Sequence, residues 1–423
     1  MSNEARPVAG VPRATMVALM LAVFTVSVGF GVVLPLLPFL IERLLGAGAA
    51  QVSRHTGFLT GVYTLALFLF APLWGRLSDR LGRRSVLLAG LIGFGVTMLI
   101  FSFVENITAV YAERFLSGMF AAAVTPVAAA AVGEFAATEQ DRARRLAFVS
   151  MAGIAGFLLG PMLSVFITRF VAEFFTSTRP VGSVALPLMV TALLAIVVAL
   201  TVAFAVPGGK HGDRSSKAAR APVDTSAWLV PKLLALTFIV SAGVGVFEVG
   251  LALRGKQELG LSSFQIAVMF AECSLVMFVM QAIVFSPWVK PDTTRWLIPP
   301  ALVVLSVGLF LVPYAASFNL MLVVIGGVSA SAGILSPILT YWVSNKAGRA
   351  QGWELGKQTA AASLGITAGS AAGGLLFNVA ALPGASFVLI AGLTVLGFLL
   401  SLGLPRLLVY RNVAARPFAS ETS

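Results

Sequence analysis

Gly75-Arg-Leu-Ser-Asp79-Arg-Leu-Gly82-Arg83-Arg84 is a dense run of charge between two long apolar stretches, residues 56–74 and 85–104. Charged side chains this close together cannot be accommodated in the hydrocarbon of a bilayer. Non-helical backbone is also kept out of lipid, because its polar groups would find no partner there. The run therefore predicts a short loop at a membrane surface that joins two membrane-spanning helices.

The composition agrees with a chain that crosses the membrane many times. Of 423 residues, 58% are hydrophobic and 11% are charged, and the mean hydropathy is +0.95. A soluble domain carries about 25% charged residues. The apolar residues fall in blocks of about 20, the length that a helix needs to cross a bilayer. We therefore expect an all-α polytopic membrane protein.

Twelve apolar blocks are long enough to be membrane spans. They cover residues 15–37, 56–74, 85–104, 108–133, 146–169, 182–206, 231–253, 262–286, 296–315, 318–341, 357–380 and 385–405. An even number places both termini on one side of the membrane. If the termini lie on the inner side, 22 of the 29 Lys and Arg residues are on inner segments and six are on outer segments. Since basic residues are retained on the cytoplasmic side, we expect both termini in the cytoplasm.

The longest polar break divides the chain into two parts. Residues 207–227 are rich in Gly, Ser, Lys and Arg, which is typical of a flexible linker. We predict an N-terminal six-helix half at 1–206, a cytoplasmic linker at 207–230, and a C-terminal half with a short cytoplasmic tail at 231–423. A weak internal repeat supports this division, because the glycines of 153–161 have counterparts at 365–374. Repeated halves around a central cavity are typical of transporters.

Several other classes of function are disfavoured. Retention of basic residues at the cytoplasmic surface accounts for the net charge of +12 without a nucleic-acid partner. With one cysteine and two histidines, no Cys/His metal cluster is expected. An enzyme would need a catalytic set near the interface, and the chain offers only His55 and His211, both in predicted loops. No Walker-type sequence indicates direct use of ATP, so we expect no cofactor and no metal.

The 75–84 run resembles, nearly residue for residue, the loop between the second and third helices of major facilitator superfamily transporters, roughly G-x-L-x-D-R-x-G-R-[KR]. The resemblance implies a twelve-helix fold of two pseudo-symmetric six-helix halves, and a loop that gates the cytoplasmic side. A solvated loop without a gating role is the alternative. A second-half copy should lie near 287–296, where the glycines are missing. The gating candidates are Gly75, Asp79, Arg80, Gly82, Arg83 and Arg84, with Glu134 as a partner for one of the arginines.

Two further motifs resemble those of drug exporters in this superfamily. Arg114-Phe-Leu-Ser-Gly118 is similar to the R-x-x-x-G motif assigned to proton transfer or helix packing. Its alternative is an arginine that reaches to the outer interface, helped by Glu113. The motif Gly156-Phe-Leu-Leu-Gly160-Pro161 is similar to the antiporter motif G-x-x-x-G-P-x-x-G-G, with Ser164-Val165 replacing the final glycines. Small residues four apart also permit ordinary close helix packing.

Polar residues inside the predicted spans are the other candidates for function. Glu272 lies near the middle of the eighth span, and Glu248 lies in the outer half of the seventh. Burial disfavours the charged form of a carboxyl group, which suits a group that loads and unloads a proton. The alternative for Glu272 is a neutral acid hydrogen-bonded to a neighbour. Candidates for the cavity wall are Tyr63, Gln281 and Asn378.

The resemblance implies a drug:proton antiporter of the tetracycline and multidrug exporter type, in which inward proton flow drives amphipathic compounds outward by alternating access. Thr25-Val-Ser-Val28 lacks the aspartate usual in tetracycline exporters. Alternatives are an exporter of a specific metabolite, such as a sugar, siderophore or amino acid, and a proton-coupled importer. We expect a monomer in a bacterial inner membrane whose partners are a small-molecule substrate, protons and lipid.

Overall fold

The computed structural model describes residues 13–46, 48–135, 139–174, 182–208, 228–284, 286, 289, 291–346, 351–379 and 384–408. These residues are helical, and no strand occurs among them. The α-helices are α1 (Arg13–Val33), α2 (Leu37–Leu45), α3 (Ala49–Leu81), α4 (Arg83–Phe101), α5 (Ile107–Ala121), α6 (Thr125–Phe135), α7 (Glu139–Phe174), α8 (Gly182–Ala205), α9 (Leu229–Gln257), α10 (Ser263–Val284), α11 (Ile298–Leu311), α12 (Phe318–Lys346), α13 (Gln351–Leu376) and α14 (Ala385–Ser401).

The described helices account for twelve membrane crossings, as the apolar blocks predict. Eleven crossings are long and apolar enough by themselves, and the shorter apolar helix α14 supplies the twelfth. Crossing one consists of α1, a 3-10 turn at Leu34–Leu36 and α2. Pro35 and Pro38 lie at this junction, and neither can donate a backbone hydrogen bond to the helix. Crossing four likewise consists of α5 and α6, which are separated by a turn just before Pro126.

The helices form two bundles, each with its own apolar core. One cluster of buried residues runs from Ala18 to Val206 and the other from Leu229 to Leu408, and Leu34, in the 3-10 turn of the first crossing, joins the second. We call these bundles the N-half and the C-half. The N-half contacts the C-half mainly through α3 against α13 and α7 against α10. We call the side where α3 ends and α4 begins the basic face, and the other side the opposite face.

Glycines bring two helix pairs into backbone contact, once in each half. A Cβ atom on Gly156 of α7 would lie 2.3 Å from the Phe24 oxygen of α1. One on Gly160 would lie 2.7 Å from the Val28 oxygen of the same helix. On α13, a Cβ atom at Gly369 would lie 2.1 Å from the Ala242 oxygen of α9. The repeat seen in the sequence therefore has the same packing role in both halves. Small residues are suited to this role, because helices in lipid associate largely through close van der Waals contact.

The structure corrects the prediction of a loop at 75–84. Helix α3 continues through these residues to Leu81, and α4 begins at Arg83, so the turn is reduced to Gly82. Gly82 has φ +90°, a conformation that side-chain-bearing residues rarely adopt. Gly75 lies inside α3 with open space where a Cβ atom would project. The charged residues are therefore the projecting end of a helix, and the sharp turn depends on Gly82 alone.

Parts of other predicted segments fall outside the described residues. Residues 209–227 of the predicted linker are among them, as are 287, 288 and 290 of the second-half copy of the motif. The rest of that copy does not repeat the first-half geometry, since Pro291–Leu297 is a 3-10 helix rather than the end of a long α-helix. Residues 347–350, which precede the eleventh predicted span, and 380–383, which begin at the last residue of that span, are also outside.

The glycine contacts predict opposite outcomes for two neighbouring substitutions on α13. Gly369→Ala forces a methyl group into the Ala242 carbonyl, so it should destabilise the protein by about 1–3 kcal/mol. Gly373→Ala meets Val249 at 3.4 Å, an ordinary contact, and removes a flexible glycine, so stability should be unchanged or slightly higher. Thermal unfolding of the two purified variants measures the difference. Equal unfolding temperatures would contradict this account of the α9–α13 contact.

Candidate functional site

The N-half contains a buried ion pair on α5. Arg114 Nε lies 2.8 Å from Glu113 Oε2, and Arg114 Nη2 donates to Glu113 Oε1 over 3.2 Å. The two residues are 2% and 3% exposed. Arg114 therefore does not reach to an interface, as the alternative interpretation required, and its charge is compensated inside the bundle. Removing one member of such a pair leaves an uncompensated buried charge.

Aromatic rings surround the guanidinium group of Arg114. Its central carbon lies 4.8 Å from the ring centre of Phe101 and 5.3 Å from that of Tyr63, within the range of cation–π attraction. A small crevice beside it is lined by Phe30, Thr60 and residues of the first crossing. Tyr63 is buried, as expected of a residue in the wall of an internal site. The positive charge of Arg114 therefore lies beside the aromatic rings of Tyr63 and Phe101.

A chain of four rings leads from this site to the C-half. Tyr63 stacks on Phe30 with centroids 5.2 Å apart, and Phe30 stacks on Phe157 at 5.7 Å. Phe157 then meets Phe270 of α10 edge to face at 6.1 Å. Our sequence analysis did not single out these three phenylalanines. Their spacing along the chain carries no signal, because the rings come from α1, α7 and α10 and meet only in the fold.

The two candidate acids both lie in the C-half, in the neighbourhood of Cys273. Cys273 of α10 is within electrostatic range of both Glu248 on α9 and Glu272 on α10, and beside Ser329 of α12. Glu272 also lies next to Gly326 of α12, 4.0 Å from its Cβ position. One carboxylate oxygen of each acid is buried without a hydrogen-bond partner among the described residues. Protonation of such an oxygen removes the cost of burying an unpaired charge.

At the basic face, an ion pair joins the end of α3 to the start of α4. Asp79 Oδ1 lies 2.7 Å from Arg83 Nη2, and Arg83 also donates to Ser78, whose hydroxyl donates to the Gly75 oxygen over 2.7 Å. The Asp79 side chain is 63% exposed. Arg84 lies against Gly208, where the linker begins. Arg80 is exposed. The side chain of Glu134, the proposed partner, lies outside the described residues.

The structure does not bring the three cavity candidates together. Gln281, on α10, exchanges hydrogen bonds with Ser150 of α7, so it joins the two halves on the basic-face side of the bundle. Asn378 follows α13 at the opposite face, where it is exposed. Tyr63 lies between them beside Arg114. The antiporter motif residues Gly156, Gly160 and Pro161 pack against α1, and Pro161 touches the Gly31 position.

Twelve crossings in two halves, with charged residues buried inside the bundle, define a polytopic membrane transporter. The chain belongs to the Major Facilitator Superfamily, whose family model matches residues 19–353. This result confirms the family resemblance carried by residues 75–84. It also agrees with the expectation that the protein is not an enzyme.

Individual relatives agree with this assignment. Multidrug resistance protein 2 of Bacillus subtilis is 26% identical over 375 residues, which cover 87% of this chain and 90% of that protein. Quinolone resistance protein NorA of Staphylococcus aureus is 24% identical over 362 residues, covering 84% and 88%. The crystal structure of the human organic anion transporter MFSD10 has the same fold, with a TM-score of 0.72 and 21% identity over 92% of this chain and 99% of that one.

The buried ion pair predicts an asymmetric response to its two single substitutions. Glu113→Gln leaves the arginine charged and unpaired, and should cost about 3–5 kcal/mol of stability. Arg114→Gln should cost less, because a proton can neutralise the remaining carboxyl group. The double variant should lie closer to the wild type than Glu113→Gln does. Thermal unfolding of all four proteins measures the coupling, and additive losses would show that the pair is not coupled.

Proposed function

We propose that the protein is a proton-coupled secondary active exporter of small amphipathic compounds, a drug or multidrug efflux transporter that works by alternating access. The observation that carries this proposal is the pair of unpartnered carboxylate oxygens on Glu248 and Glu272, inside a half-bundle whose inner side adjoins the aromatic chain. The names of the bacterial relatives, which include resistance to multiple drugs and to quinolones, support the export of drugs.

We propose that the basic face is cytoplasmic and that the membrane is the bacterial inner membrane. Arg76, Arg80, Arg83 and Arg84 all lie at the end of α3 or the start of α4, which is the charge distribution expected on the cytoplasmic side. The division at 207–230 remains a prediction that fits the two apolar cores. In this proposal both termini are cytoplasmic.

Coupling needs only that proton and substrate bias the same conformational equilibrium. Protonation of the acids removes a buried charge, and so changes the relative free energies of the inward-facing and outward-facing states. Substrate then competes with the proton or favours the other state. Glu272 is the leading proton carrier, because it is partly accessible near the middle of α10, and Glu248 is the second. The Glu113–Arg114 pair already compensates its own charge, so it has a lesser claim.

The inventory of charge favours neutral or cationic substrates. In the N-half the buried Arg114 is compensated by Glu113, whereas the C-half acids have free carboxylate oxygens. A carboxylate beside aromatic rings holds an organic cation through charge pairing and attraction to the ring faces. An aromatic cation such as ethidium is therefore a suitable probe.

Expression of the chain in a pump-deficient bacterium should lower the accumulation of ethidium, and a protonophore should restore it. Glu272→Gln keeps the shape of the side chain but removes its titration, so it should abolish efflux driven by a pH gradient while binding remains. Fluorescence of the accumulated dye measures efflux by the wild type and its loss in Glu272→Gln. The matched control is Glu105→Gln, a substitution of an exposed acid.

Two outcomes of that experiment would change the proposal. Wild-type pH dependence in Glu272→Gln would transfer the proton-carrying role to Glu248 or Glu113. If expression instead raised the accumulation of a nutrient and left every dye and drug unchanged, the importer would replace the exporter.

A separate prediction concerns the gating role of residues 75–84. Asp79→Asn removes an exposed ion pair, so stability should change by less than about 1 kcal/mol and membrane abundance should be normal. Transport should nevertheless fall sharply, because the motif controls exchange between conformations. Substrate affinity, measured by dye binding to purified protein, should be nearly unchanged. Weakened binding together with normal exchange would assign Asp79 to the substrate site instead.

A further inference from the structure

Two arginines lie at the basic-face ends of the neighbouring helices α11 and α14. Arg295 is in the 3-10 helix that precedes α11, and Arg406 lies five residues beyond Ser401, the last residue of α14. The two helices pack side by side, and Ser306 of α11 donates to the Ala391 oxygen of α14 over 3.1 Å. Counted along each helix from this contact, both arginines lie about 20 Å toward the basic face, so they are at a similar depth.

The segments that carry these arginines are held in place by buried neighbours. Trp342 of α12 donates from Nε1 to Thr294 Oγ1 over 3.2 Å, and both residues are buried. This bond fixes the 3-10 helix beside Arg295. On the other segment, Leu404 and Leu408 are buried in the core of the C-half, on either side of Arg406. Both arginines therefore project from backbone that is anchored to the bundle.

Neither arginine is neutralised by the part of the chain that the structure describes. Arg295 and Arg406 form no ion pair with a described residue, and Arg295 Nε is buried without a hydrogen-bond partner there. At the corresponding place in the N-half, where the third crossing begins, Arg83 is paired with Asp79. A buried donor without a partner costs free energy until an acceptor reaches it. The basic end of α11 and α14 is therefore suited to an anion from outside the chain.

An exposed apolar surface begins beside the two arginines. Trp296 is 55% exposed, and its ring centre lies 5.9 Å from the guanidinium carbon of Arg295. Tryptophan favours the level of the bilayer at which headgroups meet acyl chains. Gly392 and Gly403 of the α14 segment have open space where a Cβ atom would project. Exposed apolar side chains continue from Trp296 along both helices, at Val303, Val304, Val307, Leu396, Leu399 and Leu400.

We propose that Arg295, Trp296 and Arg406 form a binding site for an anionic phospholipid of the leaflet at the basic face. The phosphate group lies at the two guanidinium groups, and an acyl chain lies on the apolar surface of α11 and α14. Guanidinium groups suit this role, because their planar set of donors matches the oxygens of a phosphate. A zwitterionic lipid would bring an ammonium group close to two positive charges, which disfavours it. The site does not depend on which compound the protein transports.

Native mass spectrometry of the purified protein tests the site, with phosphatidylglycerol and phosphatidylcholine of equal chain length as probes. The wild type should bind phosphatidylglycerol more tightly. Arg295→Gln and Arg406→Gln should each weaken that binding by about fivefold, because each removes one basic residue near an anionic headgroup. Binding of phosphatidylcholine should stay the same. Arg295→Lys keeps the charge but loses the planar donors, so its loss should be smaller than that of Arg295→Gln.

The matched control is Arg13→Gln, which removes an exposed arginine at the basic face of the other half. It should bind phosphatidylglycerol as the wild type does. An equal loss in Arg13→Gln would show attraction to the charge of the whole face and would refute the site.

Two other results would also refute the lipid site. One is equal affinity of the wild type for the two lipids, and the other is unchanged binding of phosphatidylglycerol in Arg295→Gln and Arg406→Gln. An excess of glycerol phosphate, which has no acyl chain, should not displace the lipid. If it did, the site would bind soluble phosphate esters and the lipid would be the wrong occupant. The measurement uses no substrate and no proton gradient, so its outcome is independent of whether the chain exports drugs.

Discussion

The close approach of helix backbones within each half is the constraint on which the structure depends. Lipid chains are as apolar as leucine, so helices in a bilayer gain little from hydrophobic burial against one another and depend on close contact. The contacts of α7 with α1 and of α13 with α9 are made by glycines facing carbonyl oxygens. These contacts tie the helices of each half together, and Gly57 of α3 against Gly374 of α13 makes the same kind of contact between the halves.

The buried candidate residues carry their charge differently in the two halves. In the N-half, Arg114 is compensated by the neighbouring Glu113 and by aromatic faces. In the C-half, Glu248 and Glu272 have carboxylate oxygens that no described donor satisfies. A fixed pair suits orientation and packing, whereas unpartnered acids suit a group whose protonation changes during the cycle.

Hydropathy was enough to predict the twelve crossings, because a span is a property of about 20 consecutive residues. The glycine repeat was also visible in the sequence. Its role in close helix packing is clear only from the structure, in which α13 lies against α9. The extent of α3 was not predictable, because hydropathy marks where the membrane ends and not where the helix ends. Arginine is a good helix former, so the helix can continue into water. The cavity candidates Gln281 and Asn378 were chosen for polarity alone. Their actual partners, Ser150 and Ser53, are more than a hundred residues away in sequence.

Polar contacts lie at both faces of the bundle, some within one half and some between the halves. At the basic face, the Asp79–Arg83 pair lies within the N-half and fixes the end of α3 against the start of α4. At the opposite face, Asn378 and Lys256 bind across the halves. An internal contact keeps its shape when the halves move, whereas a cross-half contact must break. Gln281 and Ser150 also bind across the halves on the basic-face side, so separating the halves at either face has to break hydrogen bonds.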